Sequence, residues 1–190
     1  MGQRAITIYT PDGADPHIAA DDDAFIYGAI FGTKSGILGT LTCVRIDDNT
    51  VRLAGGGVMN RGHILRIPDG ESLDLTVANG TAGYKRYDSV VAEFVKGGGE
   101  TADVYRIRIV QGTLSTGTPP VPSLVKTSLL NRGDVNQIEL FRLYLNGTVL
   151  AGITQIIGSL PGRNDVPTIS YGTAAPSGGS NGDIYFRIVD

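Results

Sequence analysis

The chain is expected to be an all-β protein: an antiparallel β-sandwich or barrel-like domain with Gly-rich hairpin loops, a small second β element and a C-terminal strand. Three features predict this. Short β-branched and aromatic runs alternate with polar residues at a period of two, as in residues 104–110, where Tyr105, Ile107 and Ile109 oppose Val104, Arg106, Arg108 and Val110. The runs are separated by turn signatures such as Pro68-Asp69-Gly70, Asn79-Gly80 and Asn146-Gly147, where Pro pre-sets φ and Gly accepts a positive one. The 27 glycines cluster between apolar runs and do not recur at the period of three that a collagen helix needs.

Taken in order, residues 5–9 form a β-prone run closed by Pro11-Asp12-Gly13. The apolar stretch at residues 24–31, after Asp21-Asp22-Asp23, fits a short helix and a buried strand equally, because periodicity does not separate them in so short a run. Residues 41–46 and 51–53 make a hairpin around Asp47-Asp48-Asn49-Thr50. Gly55-Gly56-Gly57 is expected to break the ladder, which resumes at residues 63–67 and turns at Pro68-Asp69-Gly70. Residues 72–77 place Leu73, Leu75 and Val77 on one face; residues 87–95 give the next strand, and Gly97-Gly98-Gly99-Glu100 a hairpin loop.

Thr116-Gly117-Thr118-Pro119-Pro120-Val121-Pro122 is rigid and poor in donors, so it reads as a polyproline-like connector and the main internal boundary. Residues 137–145 could be an amphipathic helix, but Asn146-Gly147 and the β-prone residues 148–150 mark a hairpin, so a strand is expected. Residues 171–182 are a flexible low-complexity stretch before a last strand at residues 183–189. The expected organisation is an N-terminal arm (1–20), a main β-sandwich domain (21–115), a small β-hairpin element (123–163) and a Gly/Ser-rich tail with a terminal strand (164–190).

Hydrophobic residues make up 41% of the 190 and charged residues 18%, enough apolar surface to offset the entropy of ordering. A net charge of -3 without a basic stripe argues against nucleic-acid binding. Cys43 is the only cysteine, which excludes an intramolecular disulfide and a multi-cysteine metal cage and fits synthesis in a reducing cytoplasm. The first residues lack an apolar signal core, and no apolar run approaches the roughly 20 residues that span a bilayer, so neither export nor membrane insertion is expected.

Candidate chemistry is sparse. Gly28 to Gly36 resembles a phosphate-binding loop, but Thr33 separates Gly32 from Lys34 and only three residues lie between Gly28 and Gly32. Asp21, Asp22 and Asp23, with Asp12, Asp15 and His17, lack the alternate spacing of a calcium loop and read as a solvated acidic loop or a helix cap. His17 and His63 have no neighbouring nucleophile. The acids Asp47, Asp48, Asp69, Glu71, Asp88 and Glu100 nearly all fall at turns and strand ends, where carboxylates serve solubility, although a hydrolase pair meeting in three dimensions is a rival reading. Trp is absent; Tyr84, Tyr87 and Tyr144 are the candidates for glycan contact, against the plainer reading of tyrosines filling sheet faces. No catalytic residue, cofactor or metal is expected.

The segment Tyr84-Lys85-Arg86-Tyr87-Asp88-Ser89-Val90-Val91-Ala92-Glu93-Phe94 resembles baseplate and tail-tip proteins of phages and prophages of Gram-positive bacteria, in which a basic residue and an aspartate precede a Val-Val strand. The likeness extends through residues 104–113, Pro119-Pro120 and residues 135–145, and the stretch from Gly172 to Phe186 is similar to a closing motif of phage fibre and adsorption proteins. The resemblance implies a non-enzymatic structural component of a tail baseplate or fibre apparatus. Such a protein would be made in the host cytoplasm, reside in the virion, and act as scaffold or adaptor in host adsorption. Its partners would be other tail proteins and further copies of itself, trimers by the habit of that family. A module binding host cell-surface glycan is the alternative. Ile184, Tyr185, Phe186 and Ile188 are the expected oligomer contacts, because a flexibly tethered strand is unstable until its ladder is completed.

Overall fold

A long hairpin organises the first sheet of the computed structural model, which describes residues 20–31, 35–97, 102–160, 169–177 and 183–189. β1 (Gly36–Leu38), β2 (Thr42–Arg45), β3 (Thr50–Asn60) and β4 (His63–Thr76) are antiparallel, with β3 central. β4 pairs with β3 along one edge, while β2 and then β1 share the other. The break expected at Gly55-Gly56-Gly57 does not occur. β3 runs through it, with φ of 58° at Gly55 and 96° at Gly56, and a Cβ on Gly56 would collide with the Thr40 carbonyl. The register passes from Ala54 opposite Ser72 to Gly56 opposite Ile67, so Pro68-Asp69-Gly70 swells out of β4 as a bulge and does not turn the chain. Bulges and turns call on the same chemistry, a Gly at positive φ and a Pro that donates nothing to a ladder. The true turn is Arg61-Gly62, whose φ values of 51° and 88° suit a two-residue type I′ hairpin.

β5 (Lys85–Val95), β6 (Val104–Val110), β7 (Val135–Asn146) and β8 (Val149–Gln155) form the second antiparallel sheet in the order β6-β5-β7-β8. Residues 137–145 are therefore strand. The boundary expected at the Pro-rich connector does not separate two sheets, because β7 pairs with β5 along its whole length and β7 and β8, from the element expected at 123–163, are two of this sheet's four strands. The chain on either side of the connector bridges to the sheet, Ser115 to Lys85 and Lys126 to Asn136.

The two sheets bury one core: Val51, Leu53, Val58 and Ile67 from the first meet Val90, Ala92, Leu143 and Leu145 from the second. Each of the valines, leucines and the isoleucine contributes about 1.5–3 kcal/mol when fully buried. A bulge in β7 lets the consecutive Leu140 and Phe141 both point inward. After β8 the chain crosses to the first sheet, where the Ile37 N–H donates to the Gly158 carbonyl and the Leu160 N–H to that of Ile37, giving the sandwich a barrel-like closure.

The segment left open between helix and strand is helix α1 (Ala20–Phe31), with Asp21, Asp22 and Asp23 in its first turn, where negative charge suits the helix dipole. Ala24 is buried against the β3–β4 turn, where a Cβ on Gly62 would strike the Ala24 carbonyl; Phe25 and Ile30 are exposed.

Residues 161–190 form a separate unit. Here the expectation of a lone terminal strand is corrected: β10 (Ile184–Arg187) pairs in parallel with β9 (Ile169–Gly172), whose last two residues, Tyr171 and Gly172, fall in the stretch expected to be flexible. Residues 5–9, Asp12, Asp15, His17, Lys34 and Glu100 lie outside the described residues.

Candidate functional site

β5 is buried on both faces, and each face carries an ionic cluster. On the inner face, Arg86 and Asp88 form a bidentate pair at 2.8 and 2.9 Å, with side chains 2% and 0% exposed. Arg86 also donates to the carbonyls of Ala78 and Asn79, and Asp88 accepts the Gly112 N–H at 2.9 Å. Asp88 is thus no strand-end acid kept for solubility, as its sequence position had implied. It ties β5 to the segment leaving β6, while its arginine holds the loop after β4.

The outer face follows from cross-strand register. Glu93 stands between Arg106 on β6 and Gln137 on β7; Val91 lies between Arg108 and Glu139; Ser89 faces Arg142; Tyr87 faces Tyr144; Lys85 faces Asn146. One Glu93 oxygen accepts from Arg106 at 2.6 and 2.9 Å; the other accepts from Arg108 at 2.8 Å and from the Gln137 amide. Glu139 accepts two bonds from Arg142 at 2.7 and 2.9 Å and one from the Ser89 hydroxyl. Burial pushes the Glu93 carboxyl up, but the bonds from Arg108, Gln137 and Arg106 outweigh it and hold its pKa at about 2. Glu139 is likewise lowered: burial opposes ionisation, and Arg142 and Ser89 prevail. These carboxylates are fixed in the ionised form, which suits anchoring and not proton donation near neutral pH.

Of the three tyrosines singled out, the structure brings two together. Tyr87 and Tyr144, both half-buried, lie with ring centroids 5.4 Å apart and planes tilted by 48°, and the Arg142 guanidinium carbon sits 5.8 Å from the Tyr87 centroid. Tyr84 is not part of this contact; it lies before β5, with its carbonyl accepting the Gly147 N–H. His63 stacks on Phe94 at 4.0 Å, with its pKa lowered chiefly by burial, and Asp21 pairs with Lys96. Cys43 is partly buried, which raises its thiol to about 11 and leaves it protonated near neutrality.

In the C-terminal unit, the proposed contact residues divide between two faces. Ile184 and Phe186 pair with Ile169 and Tyr171 on one face, where all four are exposed, and Ile188 continues that row. Tyr185 lies on the other face, its ring against Gly172 and its hydroxyl donating to the Ala174 carbonyl at 2.9 Å.

No protein-family model matches this chain, and no curated protein matches it either. The residues that sequence reasoning passed over are the charged ones of β5, β6 and β7. A usable signal was present: Glu93 interrupts the apolar run of residues 90–95, Arg86 and Asp88 stand at alternate positions before it, and Arg106 and Arg108 do so in the next strand.

Proposed function

We propose that this chain is a non-enzymatic structural component of a phage or prophage tail tip, a scaffold or adaptor that assembles through its C-terminal unit. The observation that carries the assembly reading is the β9–β10 ladder. A two-stranded sheet is marginal in water, and parallel strands are normally covered on both faces. Here Ile169, Tyr171, Ile184 and Phe186 are 68%, 78%, 47% and 60% exposed on one face. That makes an uncharged patch on the order of a few hundred Å², the size at which exposed apolar surface signals a contact. The ionised, arginine-held carboxylates of the sandwich support a structural role, and the likeness of residues 84–94 to tail-tip proteins supports the virion setting.

Sedimentation of the full chain and of Phe186→Asp tests this. The parent is expected at a multiple of the single-chain mass, three for the trimer the resemblance implies, and the variant at the single-chain mass. A parent that sediments as one chain, or a variant with undiminished mass, removes the proposed role of this unit.

A further inference from the structure

The outer face of β6-β5-β7-β8 holds its charges in layers. The side chains of Glu93 and Glu139 are 4% and 11% exposed, while those of Arg106, Arg108 and Arg142, which bind them, are 56%, 41% and 27% exposed. Lys85 shares the face, one row beyond Tyr87. Solvent therefore meets four cations, and the two carboxylates among the strand residues of this face are sunk beneath them. This happens in a chain whose net charge is -3. The bonds to glutamate use Nε and Nη2 of Arg106 and of Arg142, so Nη1 of each has no protein acceptor among the described residues. A guanidinium already fixed by two bonds, to one Glu93 oxygen at Arg106 and to both Glu139 oxygens at Arg142, loses little freedom when a second anion arrives.

Between Arg142 and Lys85 stands the Tyr87–Tyr144 pair, and the β8 residue facing Tyr144 is Gly152. With no side chain at Gly152, that flank of Tyr144 is open. A Cβ placed there would lie 3.9 Å from the Tyr144 Cβ, an ordinary contact, and Gly152 is not at positive φ, so a side chain fits without backbone strain.

We propose that this face binds an anionic saccharide. The Tyr144 ring, open on its Gly152 flank, lies against the C–H face of a sugar unit, Tyr87 backs it from beneath Arg142, and Arg142, Lys85 and the Arg106–Arg108 pair take the carboxylate or phosphate groups along the saccharide. Tyrosine offers an apolar body with a polar tip, and arginine a planar fork matched to both kinds of anion. A neutral glycan brings no anion to Lys85 or to the Nη1 groups of Arg106 and Arg142, which the glutamates do not use. The site lies on the sandwich and is independent of the assembly reading, since it uses no residue of the C-terminal unit.

Calorimetry on the full chain tests the site with four probes: an oligogalacturonate, a phosphodiester-linked sugar oligomer, a neutral malto-oligosaccharide and inorganic polyphosphate. At least one acidic saccharide is expected to bind, more weakly as salt rises, and the one that binds identifies the anionic group. The neutral oligomer is expected to bind at least about tenfold more weakly. Tyr144→Ala and Gly152→Leu, the latter covering the ring with the urea midpoint unchanged, should each cost about tenfold in affinity. Absence of binding by both acidic saccharides overturns the proposal, as does equal binding of the neutral one. Polyphosphate binding as tightly as the saccharides, with Tyr144→Ala without effect, overturns it too, because charge alone then explains the affinity.

Discussion

The two faces of β5 use the same ion types to opposite ends. On the inner face both partners of Arg86–Asp88 are sealed, and every bond they make ends on the sandwich's own chain. On the outer face the carboxylates are sealed but the arginines reach solvent. Sealing a cation and an anion together makes a cross-link, since neither can be rehydrated without opening the fold. Sealing only the anion makes a surface: the arginines gain a fixed geometry and keep their access to water and to ligands. The strand alone does not decide between these outcomes; what covers each face does.

The sharpest way to break the comparison is on the inner face. Asp88→Ala leaves the Arg86 guanidinium buried beside an empty site and deprives the Gly112 N–H of its acceptor. A loss of about 3–5 kcal/mol is expected, read as a lowered urea midpoint. Adding Arg86→Met to that variant should restore most of the loss, because the stranded charge is gone and an apolar side chain fills similar volume. A single variant as stable as the parent would show that the pair is hydrated and that the two faces do not differ.

How much of this was legible beforehand follows from the same residues. The strands β5, β6 and β7 were readable because period-two alternation and Asn146-Gly147 are local signals. The burial of Glu93 was not. A glutamate in an apolar strand reads alike whether it faces water or two arginines, and the choice depends on the register that sets Arg106 and Gln137 on either side of it. Pro68-Asp69-Gly70 failed for a related reason, since whether such a sequence turns the chain or bulges from it depends on the partner strand. The C-terminal pairing was equally non-local: β9 and β10 meet in parallel, and no hairpin signature marks such a pairing.

The outer face is expected to show itself in acid. The Glu93 carboxyl is held at about 2, against an ordinary value of 4.5. A depressed carboxyl contributes stability that is complete above its unfolded value and is lost as pH falls through its folded one, here between about 4.5 and 2. Glu139 is shifted in the same direction and adds to the loss. Glu93→Gln should cost about 2 kcal/mol at neutral pH, less than full linkage would give because its arginine partners stay exposed. The variant's stability should then fall less steeply below about pH 4.5, Glu139 supplying the remaining slope. An acid slope identical to the parent's would mean that Glu93 titrates normally and that the charge layering on this face is not maintained in solution.

The smallest effect belongs to a pair whose geometry is as good as either. Arg52 on β3 and Asp74 on β4 face each other across the hairpin, with two bonds at 2.6 and 2.7 Å. Their side chains are 43% and 46% exposed, so water competes for both ends in the folded state as it does in the unfolded one. Arg52→Ala is therefore expected to leave the urea midpoint unmoved, although the distances match those at Glu93. If it instead destabilised the protein as much as Glu93→Gln, bond geometry and not covering would rank these pairs, and the contrast between the faces of β5 would lose its cause.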